Sequence, residues 1–273
     1  MSEEKRRPAS ADEPGHQHGG PQAEGEIARA ADRTVETGKQ RLDRTWVEIL
    51  VTGFFGGTEI TIGVLAMLAV YHETGSHLLA GIAFSIGLII LLLAHSELFT
   101  EGFLVPVAAV AAGEATIADL LRLWGGTLVA NLIGGWLTMW LAVLAFPAYQ
   151  PTLIELGAHY ADAGFTLESV ALGVLAGATI TLLTRMQNGT DEPVAQMLAA
   201  VAIGFVLAGL QMFHSIFDSL ILFGAIHTGA APYGYVDWLG FMAYTVPANM
   251  AGGLVLVTML RLVRGRESGV SSS

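Results

Sequence analysis

The chain of 273 residues is 53% hydrophobic and only 14% charged, with a mean hydropathy of +0.57. A soluble domain carries about a quarter charged residues, so the composition excludes an ordinary water-soluble enzyme. Lys and Arg are missing from 123–184 and from 186–260, which leaves no basic stripe for phosphates and excludes a nucleic-acid partner.

The net charge of −11 is unevenly spread: residues 1–45 hold 8 basic and 9 acidic side chains, and 46–273 hold 5 and 15. With no cysteine, thiol catalysis, disulfides and cysteine-based metal sites are removed. Residues 1–24, punctuated by Pro8, Pro14, Pro21 and several glycines, cannot bury enough apolar surface to order and are expected to be disordered. From 25 to 44 the chain lacks proline and is rich in helix formers, with opposite charges such as Glu36 and Lys39 close together; a polar helix leading toward the membrane is expected.

Six apolar regions follow, near 46–71, 78–112, 123–147, 167–186, 194–226 and 239–262, each long enough for the roughly 20 residues that cross a hydrocarbon core. The second is interrupted by the polar stretch 95–102, HSELFTEG, and the fifth by 214–219, HSIFDS. Unsatisfied backbone in lipid costs several kcal/mol per group, so such interruptions survive only packed in protein or lining a wet cavity, as in the discontinuous helices of transport proteins. Pro106 and Pro247 read as kinks. The expected organisation is a cytoplasmic segment over 1–45, a transmembrane domain over 46–262 and a cytoplasmic tail over 263–273.

Basic residues cluster at Lys39, Arg41 and Arg44, at Arg122, at Arg185, and at Arg261, Arg264 and Arg266. With six spans this bias places both termini and the loops after spans 2 and 4 in the cytoplasm of a plasma (inner) membrane protein. The opposite loops, near 72–77, 148–166 and 227–238, carry Glu73, Glu155, Asp162 and Asp237.

An internal repeat is readable. Gly53 to Thr61, GFFGGTEIT, matches Gly173 to Thr181, GVLAGATIT, at an offset of 120; His95-Ser96 matches His214-Ser215 at 119; and Asn131 to Gly135, NLIGG, matches Asn249 to Gly253, NMAGG, at 118. Three spans per repeat require the halves to be inverted, which puts a permeation site where the interrupted helices meet. The fold class expected is thus an all-α membrane protein, six transmembrane helices in two inverted three-helix repeats with helices 2 and 5 broken.

Ionisable residues at membrane depth are costly and therefore functional candidates: His95, Glu97 and Glu101 from the first break, His214 and Asp218 from the second, and Glu59 inside span 1. His214 is expected near mid-membrane, with an imidazole side chain whose ordinary range lies close to physiological pH. Ser96 and Ser215 serve equally well as caps or interhelical contacts.

The segments A-H-S-E-L-F-T at 94–100, L-E-S-V-A-L-G-V-L-A-G at 167–177 and F-H-S-I-F-D at 213–218 resemble the formate/nitrite transporter family, over about 46 to 262. The resemblance implies an aquaporin-like protomer with its own pore, a homopentamer in the lipid bilayer, and passage of a small monovalent weak-acid anion such as formate, nitrite or hydrosulfide. It implies no cofactor, no metal and no enzymatic activity. It also implies that Glu97, Leu98, Phe99 and Thr100 form the loop of the second helix, that His214 is the central proton relay partnered by Thr100, and that Leu98 and Leu207 are apolar constrictions on either side of it.

The departures are acidic. The sequence has Gly177 and Asp218 where asparagines are usual, Ala161 where a basic residue is usual, and Glu59 where an apolar one is usual. Glu59, Glu97 and Asp218 are therefore acidic pathway candidates, and small amines or other neutral or cationic solutes are the alternative cargo. A remoter alternative is an intramembrane metal-dependent hydrolase using His95, Glu97, His214 and Asp218, although no H-E-x-x-H spacing accompanies them.

Overall fold

The computed structural model describes residues 33–259, so the expectations of disorder over 1–24 and of a tail over 263–273 lie outside the described residues. The described chain is helical, without strands. Helix α1 occupies 33–42. It is followed by α2 (Trp46–Thr74), α3 (His77–Ala94), a 3-10 turn (Phe99–Phe103), α4 (Val105–Ala111), α5 (Ile117–Ala145) and α6 (Gln150–Ala161). Then come α7 (Leu167–Gln187), α8 (Pro193–Gly209), α9 (Phe217–His227) and α10 (Tyr235–Ala251), which continues in π-helical winding over Gly252–Met259.

Local chemistry sets these boundaries. Thr45 caps α2 by accepting the Glu48 N–H, while the Glu48 carboxylate takes the Thr45 N–H at 2.7 Å, a capping box. Gly75 ends α2 in the left-handed region (φ 63°), where a side chain would be strained, and Ser76 opens α3 by accepting the Leu79 N–H. Thr116 with Asp119 repeats the capping box on α5. Pro106 is not a kink: it stands in the first turn of α4, where its missing N–H costs nothing. Pro247 does lie inside α10.

Helices α2, α3, α5 and α7 are each long and apolar enough to cross a membrane; α2, with 29 residues, reaches about 43 Å at 1.5 Å per residue. Helices α4, α8 and α9 are apolar but shorter, at 7, 17 and 11 residues. Helix α2 packs on α5 and α3, α3 on α8, and α7 on α10.

Two further expectations are corrected. The stretch 148–166 is not simply a loop, because α6 lies within it. Its Thr152, Leu153, Leu156, Gly157 and Tyr160 are buried at the three-to-four spacing of an amphipathic helix, while Glu155 and Asp162 stay exposed. Glu36 and Lys39 do not pair: Lys39 reaches Glu114 at 3.0 Å and Glu36 accepts from Gln40 at 3.0 Å. The longer-range partner on the α4–α5 connection wins.

The two halves cross their helices in the same way. A Cβ at Gly57 would run into the main-chain carbonyl of Asn131 on α5, and a Cβ at Gly177 into that of Asn249 on α10. Gly177, the apparent loss of an asparagine, is thus the α7 counterpart of Gly57 at a backbone-to-backbone crossing. Gly177→Ala and Gly57→Ala are each expected to cost about 1–3 kcal/mol through overpacking, read as a lowered unfolding temperature of the purified protein. An unchanged transition in both would contradict these crossings.

Candidate functional site

Two non-helical segments, 95–98 and 210–216, face each other through their neighbours. Each follows a helix end at which a non-glycine residue adopts a left-handed conformation: His95 (φ 57°) after α3 and Gln211 (φ 51°) after α8. A backbone that leaves a helix inside a bundle must find new partners for its N–H and C=O groups, and here one asparagine supplies them in each half. Asn131 on α5 donates to the carbonyls of Glu97 (2.8 Å) and Gly53 (2.7 Å) and accepts the Phe99 N–H (2.9 Å). Asn249 on α10 donates to the carbonyls of Phe213 (2.8 Å) and Gly173 (2.8 Å) and accepts the Ser215 N–H (2.9 Å). Both asparagines are fully buried.

These bonds correct the register of the repeat. Glu97 corresponds to Phe213 and Phe99 to Ser215, and the left-handed residues His95 and Gln211 keep the same separation of 116. The match of His95-Ser96 with His214-Ser215 is therefore coincidental, and the counterpart of His214 is Leu98. His95 is exposed, and Ser96 donates to Glu59 at 2.7 Å.

His214 is 1% exposed, and three contacts fix it. Its Nδ1 accepts the Phe217 N–H at 3.0 Å, so the neutral ring carries its hydrogen on Nε2, an assignment that follows from the bonding pattern. Nε2 lies 2.7 Å from Thr100 Oγ1, and the main-chain N–H of His214 donates to Asp218 Oδ2 at 2.6 Å. The sequence-predicted pair His214 and Thr100 is thus in direct contact. Leu98, Phe99 and Leu207 are 1–2% exposed, and Phe84, overlooked in the sequence, packs on Phe217 with ring centroids 4.2 Å apart.

The three acidic candidates have separate surroundings. Glu97 meets Arg44 at 2.5 Å and Arg41 at 3.3 Å, so two guanidiniums from the α1 end face its charge. Glu59 takes the Ser96 hydroxyl on one oxygen, and its other oxygen has no hydrogen bond. Asp218 is fully buried, its Oδ1 also without a hydrogen bond, with the Tyr160 hydroxyl beside the carboxyl. Among the described residues no three His, Asp or Glu side chains are grouped to hold a metal ion.

With two clamped loops and a buried His–Thr contact between them, the comparison with known proteins is decisive. Residues 28–263 match the model of the formate/nitrite transporter family. The chain belongs to that family. The uncharacterized transporter YrhG of Bacillus subtilis is 27% identical over 258 residues, covering 87% of this chain and 91% of its own. Formate channel FocA of Escherichia coli is 30% identical over 154 residues, 53% of this chain and 52% of its own. Among solved structures, a pentameric formate channel with formate bound superposes with a TM-score of 0.67 at 20% identity, over 80% of this chain and 96% of that one. An FNT family ion channel gives 0.66 at 17%, over 88% and 98%. The fold is that of these channels, and the family makes the protein a membrane channel or transporter.

The asparagines were missed as site residues although the repeat had already paired them. Asn249→Ala removes the partner of one N–H and two carbonyls, at about 1–3 kcal/mol per buried group left unpaired. A marked drop in unfolding temperature is expected, matched by Asn131→Ala; differential scanning fluorimetry in detergent checks it.

Proposed function

We propose that the protein is a six-span channel or proton-linked transporter passing a small monovalent weak-acid anion, formate or nitrite in kind, through one pore in each protomer of a homopentamer. In this reading α3 with α4 and α8 with α9 are the two interrupted spans of inverted repeats. Residues 1–45 and 263–273 lie on the cytoplasmic side of the inner membrane, with 46–262 as the membrane domain. The bound formate and pentameric state of the superposing channel support the cargo and the assembly.

The observation that carries the mechanism is the 2.7 Å contact of His214 Nε2 with Thr100 Oγ1. Because Nδ1 is engaged by the Phe217 N–H, the ring donates through Nε2, and the Thr100 hydroxyl hydrogen is left to point at a solute. A donor that is itself accepting a hydrogen bond is polarised and binds an anion more strongly. Leu98 and Leu207 enclose the pair, so a bare anion faces a large desolvation barrier. A proton delivered by acidic water on the entry side to the anion held at the Thr100 hydroxyl turns it into a neutral acid that crosses the apolar stretch, the His214–Thr100 pair orienting and polarising the anion while the ring keeps its own hydrogen on Nε2. Phe99 backs the loop that carries Thr100.

A second reading, passage of small amines, is favoured by one observation: Asp218 is fully buried with an oxygen free of hydrogen bonds. Glu97 contributes less to it, since Arg41 and Arg44 already meet its charge.

Flux into proteoliposomes, comparing formate and nitrite with methylammonium at two pH values, tests both. Anion uptake that rises on acidification is expected, and His214→Phe should cut it about a hundredfold, the scale of a lost preorganised donor, while assembly persists. Full anion flux in a folded His214→Phe pentamer removes that role. Asp218→Asn should leave anion flux within about threefold, the change of an acceptor that keeps its bond to the His214 N–H; if it instead abolishes methylammonium uptake, the amine reading stands.

A further inference from the structure

Among the described residues nine buried side-chain nitrogen or oxygen atoms have no hydrogen-bond partner, and four of the nine belong to Ser215, Asp218, Tyr244 and Thr245. Buried polar atoms are almost always satisfied, so each exception calls for an explanation, a water or an ion being the usual one. Ser215, Asp218 and Thr245 are fully buried and Tyr244 is 8% exposed, which keeps bulk water from serving all four.

Contacts on either side bring these oxygens to the start of α9. On α10, Met242, Thr245 and Asn249 follow one another at three-to-four spacing and so share a face. Met242 Sδ receives the Ser219 hydroxyl at 3.2 Å, and Asn249 Oδ1 receives the Ser215 N–H at 2.9 Å. Thr245 stands between these two fixed points and therefore faces the turn that carries Ser215 and Asp218. The Tyr244 hydroxyl is beside those of Thr245 and Ser169 and within electrostatic reach of Asp218, and the Tyr160 hydroxyl is beside the Asp218 carboxyl.

A buried carboxylate needs a compensating charge or must give up its own. Asp218 Oδ2 is engaged by the His214 N–H at 2.6 Å, which leaves Oδ1. No Lys or Arg occurs in 186–260. The His214 ring is engaged by the Phe217 N–H and by Thr100, and toward the α6 end the imidazoles of His77 and His159 face Glu155 and Glu168. A proton on Oδ1 would serve one hydroxyl and leave the others as they are, whereas a small cation takes lone pairs from several oxygens at once. Hard oxygen donors suit alkali and alkaline-earth ions. One carboxylate among neutral hydroxyls balances a single positive charge, which selects the monovalent kind, and a membrane helix that unwinds at mid-depth is a usual place for sodium.

We propose that Asp218, with the hydroxyls of Ser215, Thr245 and Tyr244, binds one sodium ion. The site is separate from the solute position at Thr100 and does not depend on which solute the pore carries. Its occupancy steadies the turn on which His214 stands, because Asp218 holds that residue's N–H.

The test is the unfolding temperature of the purified full-length protein in sodium, potassium and choline chloride at equal ionic strength, so that screening is the same in all three, together with equilibrium binding of radioactive sodium. Sodium is expected to raise the transition by about 3 °C or more over choline, saturably, and to bind once per chain. Asp218→Asn, which keeps an acceptor for the His214 N–H, should abolish both effects. Thr245→Val, which removes one hydroxyl and keeps the shape, should weaken sodium binding about tenfold and decides the matter if Asp218→Asn folds poorly. Equal transitions in the three salts with no saturable sodium binding overturn the site, as does binding undiminished in both variants. A transition that moves with pH alone, identically in the three salts, overturns it in favour of a proton held on Asp218.

Discussion

The structure depends on one interaction made twice: a buried asparagine amide that holds an unwound segment inside a helical bundle. In hydrocarbon a free carbonyl or N–H has no water to turn to, so a chain that leaves the helix must be repaid bond for bond. Asn131 and Asn249 each satisfy three main-chain groups, two on the unwound segment and one on the helix it passes. Glycines at 57 and 177 bring the asparagine-bearing helices close enough to do so. Every functional contact is downstream of these clamps: Thr100 reaches His214 only because both loops are fixed.

Electrostatics is arranged around that scaffold in separate compartments. At the α1 end two arginines face Glu97, and at the α6 end imidazoles face carboxylates. Between them Asp218, which holds the main chain of the central histidine, forms no ion pair with a cation among the described residues. The acidic balance of the sequence is thus not one continuous field along the path but three local settings.

Much of this was legible in the sequence, and the failures have physical causes. The two non-helical stretches were marked by polar residues where lipid tolerates few, while the pairing of His214 with Thr100 came from the family resemblance and not from the residues alone. The register of the repeat was misjudged because a shared dipeptide, His-Ser, outweighed the geometry; identity of side chains says little where the main chain is what is clamped. Gly177 read as a lost hydrogen-bonding residue because a sequence does not reveal that another helix's backbone occupies the space. Helix α6 was missed because its few turns, polar on one face, resemble a loop once neighbouring spans set the standard of hydropathy. Tyr160 and Phe84 went unnoticed because an aromatic residue among apolar neighbours carries no signal of its own.

The pairing of Leu98 with His214 has a further consequence. The same backbone station carries an apolar leucine in one half and a buried imidazole in the other. The scaffold is a palindrome but the side chains written on it are not: at one station the first half presents a leucine and the second an imidazole, so the two halves of the bundle are chemically unlike where their main chains are most alike.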